Sequence, residues 1–119
     1  MVFQIRTYSV LIVSAAEKFN QSIRTLLPVN DFYPVEIVGN VQEARRKLLE
    51  KEYDLVIINT PLPDEFGTKF AIDVCADHNA GVLLLVKSEV YESVNDKVME
   101  HGVAVVAKPA PAQMVAQSI

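Results

Sequence analysis

The chain is short of most patterns by which a small protein reveals its chemistry. It has one cysteine, Cys75, in 119 residues. An intramolecular disulfide is therefore excluded, and the composition fits a reducing cytoplasm. No apolar run exceeds five residues, far below the roughly 20 that a membrane-spanning helix needs. The start, Met1-Val2-Phe3-Gln4-Ile5-Arg6, has neither the long apolar stretch nor the small-residue cleavage site of a secretory signal. Positive charge is not in excess: the net charge is -4 and the isoelectric point is near 5.1. That balance argues against a nucleic-acid binder. The one basic cluster, Arg45-Arg46-Lys47, is flanked by Glu43, Glu50 and Glu52 and reads as a solvated helix face. The phosphate-binding loop G-x-x-x-x-G-K-[ST], the dinucleotide fingerprint G-x-G-x-x-G and the nucleophile elbow G-x-S-x-G are all missing. The segment after the first apolar run lacks the Ser/Thr/Gly richness that would cradle a flavin phosphate. His78 and His101 are accompanied by no Cys/His cluster, which argues against a zinc site.

What remains is an apolar, alternating pattern. Half of the residues are hydrophobic and mean hydropathy is +0.21, enough to form a core and too apolar for disorder. There is no repeat, low-complexity stretch or internal linker, so residues 1–119 form one domain. Four runs are apolar throughout: Val10 to Val13, Leu55 to Ile58, Val82 to Val86, and Val103 to Ala107. Strands apolar on both faces belong inside a parallel sheet covered on both sides. A fifth, Val35-Glu36-Ile37-Val38, is broken by a charge and suits an edge. Helical periodicity fills the gaps, with apolar faces at Phe19/Ile23/Leu26/Leu27, Val41/Ala44/Leu48/Leu49, Phe66/Phe70/Val74 and Val90/Val94/Val98. Asn40 with Glu43 forms a capping pair for the second helix, and Ser88 is placed to cap the fourth. Asp64 and Glu65 suit the start of the third. A last helix begins near Pro111 and is cut at Ile119.

Strands alternating with helices predict an α/β doubly wound, five-stranded parallel sheet of order 2-1-3-4-5, a flavodoxin-like three-layer sandwich. The functional crevice of such a sheet lies beyond the carboxyl ends of its strands. The residues there are Ser14 to Glu17, Asn59 to Pro61, Val86 to Ser88, and Lys108-Pro109. Asn59 closes the apolar run of the third strand and precedes Thr60-Pro61-Leu62-Pro63-Asp64. A carboxylate at that place can attack a phosphoryl donor; a neutral amide cannot.

"VLIV", "DLVIINTPLPDEFG" and "KPA" stand in an order and spacing that resemble the receiver (CheY-like) domains of two-component response regulators. The resemblance covers almost the whole chain. It implies an acidic pair after strand one, an aspartate after strand three, a Thr or Ser after strand four, an aromatic in strand five and a lysine before proline. Here the acidic pair falls on Ser14 and Ala15, or on Ala15 and Ala16 with a slip of one residue. The nucleophile falls on Asn59, the hydroxyl on Val86 or Lys87, and the aromatic near Val105; only Lys108-Pro109 matches outright. The chain thus resembles an atypical receiver without its phosphoacceptor. Mg²⁺ seeks oxygen ligands with carboxylate charge, so metal binding is expected to be weak or lost, with no other cofactor. Glu17 is the one carboxylate close in sequence, and Ser14-Ala15-Ala16-Glu17 also reads as a capping box. Lys108 suits either an anion or a structural pairing, and the resemblance implies a cis bond before Pro109. Lys87 reads as a crevice reporter or a solvated loop lysine, and Cys75 as a buried thiol.

"EARRKLLEKEYDLVIINTPLPDEFG", with "GVLLLVKSE" and "KPAP", further resembles bacterial receivers joined to an antiterminator-type RNA-binding (ANTAR) output domain. That implies an output domain beyond residue 119 and no RNA binding by this domain itself. The expected function is a cytoplasmic, non-enzymatic signalling module working by phosphorylation-independent protein contacts. Its expected partners are that output domain, a second copy through the helix 4–strand 5–helix 5 face (about Ser88 to Ile119), or both, and no membrane. The alternative is a flavodoxin-like protein that binds a small molecule or cofactor.

Overall fold

The computed structural model describes residues 6–108 of the chain. Five strands alternate with helices: β1 (Tyr8–Val13), α1 (Glu17–Leu26), β2 (Phe32–Val38), α2 (Val41–Glu50), β3 (Leu55–Asn59), α3 (Thr68–Asp77), β4 (Gly81–Lys87), α4 (Tyr91–Val98) and β5 (Ala104–Lys108). The sheet is parallel throughout, in the order β2-β1-β3-β4-β5, as the apolar runs predict. The expected fifth helix and the bond before Pro109 lie outside the described residues. Cis X-Pro bonds occur at Tyr33–Pro34 and Thr60–Pro61.

Successive strand side chains point to opposite faces, and the core divides accordingly. Leu11, Val13, Val56, Ile58, Leu84 and Val86 meet Val41, Ala44 and Leu48 of α2, Phe70 and Val74 of α3, and Val94 and Val98 of α4. Val10, Ile12, Ile57, Leu83 and Leu85 meet Ile23 and Leu27 from α1 and the residue after it. Every β1 residue from Val10 to Val13 is fully buried, which is why that run carries no polar residue. Each such side chain contributes about 1.5–3 kcal/mol relative to exposure.

At the edge, β2 is guarded by charge. The Glu36 carboxylate pairs with Lys47 at 3.3 Å and with Lys51, and accepts the Tyr53 hydroxyl at 3.0 Å. Pro34, which cannot donate to a ladder, falls where the β1–β2 register shifts.

Local reading of the helix ends succeeds once. The Asn40 side chain accepts the Glu43 N–H at 2.8 Å, and Glu43 reaches back to the Gly39 N–H at 3.4 Å. Elsewhere longer-range contacts intervene. Asp64 does not start α3: its two carboxylate oxygens accept the Val41 and Gln42 N–H groups at 3.0 and 2.9 Å, closing the amino end of α2. Helix α3 begins at Thr68 after Gly67, whose φ of 120° belongs to glycine. A Cβ there would meet Thr60 Cγ2 at 3.1 Å and Ile58 Cγ2 at 3.3 Å, so the loop after β3 lies close on the strand. Ser88 does not cap α4; it sits in a short 3₁₀ turn, Ser88–Val90, and α4 starts without a side-chain cap. Leu49, Phe66 and Leu26 were expected on buried faces and are 87, 43 and 40% exposed. Leu49 and Leu26 lie on the outer sides of α2 and α1, and Phe66 falls in the loop before α3 rather than in the helix.

Candidate functional site

The carboxyl ends of β1, β3 and β5 bring Ser14, Asn59 and Lys108 together. Asn59 is 7% exposed and Ser14 1%. The Asn59 amide is used at both ends: Nδ2 donates to Ser14 Oγ at 3.2 Å, and Oδ1 accepts from Lys108 Nζ at 3.1 Å. This orientation follows from chemistry, because an ammonium only donates and must face the oxygen. Lys108 also donates to the Thr60 carbonyl. Strand β4 stands between β3 and β5, so the long lysine stem makes a connection the backbone does not. Burial, and then the charge of Lys87, hold the Lys108 pKa below that of a free lysine. The two lysines are register partners on β4 and β5.

The other positions follow from their strands. Ser14 continues β1, its N–H bonding to the Val38 carbonyl at 2.9 Å. Its Oγ also accepts the Ala16 N–H at 3.2 Å. The expected Ser14–Glu17 capping box does not form: Ala16 is the N-cap of α1, without a side-chain bond, and Glu17 is exposed. Ala15 is exposed and brings no oxygen from its side chain; Lys87 is exposed as well. Val86 is fully buried and offers methyl groups where a hydroxyl was sought. Sequence reasoning placed Thr60 in the crevice without giving it a role, and overlooked Asn20. Thr60 is 2% exposed and donates both its N–H and its hydroxyl to the Leu85 carbonyl, at 3.1 and 2.7 Å. Asn20 donates to the Ser14 carbonyl at 2.9 Å. The polar pair Asn59-Thr60 directly after an apolar run was the available signal for Thr60; Asn20 left none, since it resembles any polar residue of an amphipathic helix.

The receiver resemblance implies Mg²⁺, and the residues present do not fit it. The clustered oxygens, from Ser14, Asn59 and Thr60, carry no formal charge, and a lysine ammonium already occupies two of them. A hard cation wants carboxylate oxygens, and Lys108 would repel it. Among the described residues, no group of three or more His, Cys, Asp or Glu side chains is arranged to hold a metal. Cys75 was expected to be buried and is only half-buried; its partial burial still pushes the thiol up, which disfavours the nucleophilic thiolate. Of the basic cluster, Arg45 pairs with Asp73 at 3.0 Å and Lys47 with Glu36, as a structural helix face would.

No family model matches the sequence, and no curated protein matches it. Solved structures do. The chemotaxis response regulator CheY4 of Vibrio cholerae superposes with a TM-score of 0.80 at 19% identity, over 95% of this chain and 96% of that one. The signal receiver domain of an HD domain-containing protein from Pseudomonas fluorescens Pf-5 gives 0.81 at 20%, over 99% and 88%. The response regulator domain of Thermotoga maritima CheB gives 0.76 at 18%, over 95% and 90%. The chain has the flavodoxin-like fold of these CheY-like receivers.

Proposed function

We propose that this chain is a receiver of a bacterial two-component-type response regulator that has left phosphoryl chemistry. It acts in the cytoplasm as a non-enzymatic module, through phosphorylation-independent protein–protein interaction. The observation that carries the reading is the Asn59 amide, hydrogen-bonded to Ser14 on one side and Lys108 on the other in a buried cluster without a carboxylate. A nucleophile is missing, the oxygens that would face a metal are neutral, and the lysine that would face a phosphoryl group is bonded to Asn59 and Thr60. The small-molecule alternative has less support, because the crevice's polar groups are largely turned on one another.

In this reading the signal leaves through the surface of α4 and β5, towards an output domain beyond residue 119 or a second copy. The ANTAR-like stretches make an RNA-binding output the specific proposal; this acidic domain itself binds neither nucleic acid nor membrane, and neither Mg²⁺ nor another cofactor.

Incubation with acetyl phosphate and Mg²⁺, followed by intact mass measurement, tests it. No adduct of about 80 Da, the mass of a phosphoryl group, is expected on the wild type or on Asn59→Asp. A stoichiometric adduct located in the crevice of the wild type would overturn the reading. One on Asn59→Asp alone would show that another carboxylate, Glu17 foremost, serves the site.

A further inference from the structure

The end of the sheet opposite the crevice carries a largely apolar groove of about 330 Å³, lined by Tyr8, Phe32, Asp54 and Leu55 at the amino ends of β1, β2 and β3. Its origin is a difference in length. Helix α1 has 10 residues, about 15 Å at 1.5 Å each; β1 has 6, about 20 Å. Ile23 and Leu27 cover Val10 and Ile12, while Tyr8, next along the same face, stays 45% exposed. Phe32 and Leu55 are half-buried beside it, and the Phe32 ring lies 6.3 Å from that of Tyr8.

The chain enters the sheet at this groove. Arg6 donates to the Asp54 carboxylate at 3.1 Å, and its guanidinium lies 5.1 Å from the centre of the Tyr8 ring. Asp54 is held in turn, accepting the Ser9 N–H at 2.9 Å. The segment that precedes Arg6 is therefore tethered at the rim of the groove. It reads Met1-Val2-Phe3-Gln4-Ile5, apolar at every position but Gln4. Phe3 stands three residues before Arg6, at most about 10 Å of extended chain, so its ring cannot travel far from Tyr8. Residues 109–119 have a poorer claim to the same place. They leave from Lys108 at the carboxyl end of β5, the opposite end of the sheet and two strands away from β3.

We propose that residues 1–5 fold back on this groove in their own molecule, with the Phe3 ring seated among Tyr8, Phe32 and Leu55. The segment closes the sheet at the end away from the crevice. The contact is intramolecular, because the short tether gives Phe3 a local concentration that a separate molecule in dilute solution does not reach. It involves no residue of the crevice, and its failure leaves the reading of Asn59 untouched.

Nuclear Overhauser effects on the full chain, with the phenylalanine and tyrosine rings isotopically labelled, test it directly. Contacts from the Phe3 ring to the Tyr8 and Phe32 rings and to the Leu55 methyl groups are expected. In a mixture of labelled and unlabelled chains, no contact should cross between molecules. Phe3→Ser should lower Tm by a few degrees and increase the fluorescence of added anilinonaphthalene sulfonate as the groove opens, with the far-ultraviolet circular dichroism unchanged. Phe3→Leu should recover most of both effects, since it keeps an apolar side chain for the groove. Absence of the Phe3 contacts, contacts that cross between molecules, a groove filled by residues 109–119, or a Phe3→Ser variant equal to the wild type in Tm and dye binding would each overturn the proposal.

Discussion

Replacing Lys108 by methionine keeps most of the aliphatic stem and removes the ammonium. Two oxygens then lose their donor: Asn59 Oδ1, 3.1 Å from Nζ in a residue 7% exposed, and the carbonyl of Thr60, 2% exposed. A hydrogen bond from a charged donor contributes about 1.5–3 kcal/mol net. Two such losses bound the cost from above. Against them stands the relief of burying a cation next to Lys87, the two causes that lower the lysine's pKa. The difference should be a destabilisation of about 1–3 kcal/mol, a fall of several degrees in Tm. Lys87→Met, at an exposed residue, should change stability by no more than about 0.5 kcal/mol. Urea unfolding followed by far-ultraviolet circular dichroism gives both numbers. The sign also shows in pH. Because the folded pKa of Lys108 lies below its ordinary 10.5, the unfolded chain holds more protons between those values, and this group makes stability rise with pH through that window. Lys108→Met should lack the rise. A variant as stable as the wild type or more so would refute the argument that Lys108 holds the crevice together.

Leu48→Ala should cost about 2–5 kcal/mol and Leu49→Ala under 0.5 kcal/mol in dilute solution, because the first is 6% and the second 87% exposed; chemical denaturation distinguishes them. Tyr53 is shifted to a higher pKa, first by burial and then by its bond to Glu36. Above about pH 10 the unfolded tyrosine ionises while the folded one does not, so stability falls as pH rises. Tyr53→Phe should remove that fall, and the Lys108 rise is best measured in this background. Asp64→Ala should lower Tm and speed amide exchange at Val41 and Gln42, whose N–H groups it holds; hydrogen exchange by mass spectrometry or NMR checks it. Its carboxyl pKa lies below the usual value, mainly through those bonds, so the same protection should be lost as pH falls through the folded value.

Much of the fold was legible because its signals are local or periodic. Four apolar runs and one interrupted run became five strands, with the interrupted run at the edge. Asn40 and Glu43 were legible because a capping pair acts within one helical turn. Asp64 was misread for the opposite reason: its partners lie 23 and 22 residues away in α2, and adjacency to the third helix suggested the wrong terminus. Ser14 was misread because its hydroxyl serves the tertiary bond with Asn59 as well as the local one with Ala16. Helical periodicity placed Leu48 and Leu49 together because it measures angle on a helix. Only the packing of α2 beside α3 decides where the buried arc ends. The meeting of Ser14, Asn59 and Lys108 was legible only through topology, since 45 and 49 residues separate the bonded pairs.

The chemistry of Asn59 is therefore best understood from what an amide joins. A carboxylate at this position accepts on both sides; an amide accepts from an ammonium and donates to a hydroxyl. Ser14 supplies such a hydroxyl acceptor and Lys108 such a donor, so the three residues suit one another without a metal between them. Changing Asn59 alone to aspartate adds one negative charge beside Lys108. It leaves Ser14 without a charge and Ala15 exposed without a side-chain oxygen. A metal-assisted phosphoryl transfer needs several anionic oxygens at once. The single substitution should consequently pair with Lys108 and remain unphosphorylated. Phosphorylation on adding acidic residues at 14 and 15 to that variant, with none on Asn59→Asp alone, is the outcome this reasoning requires.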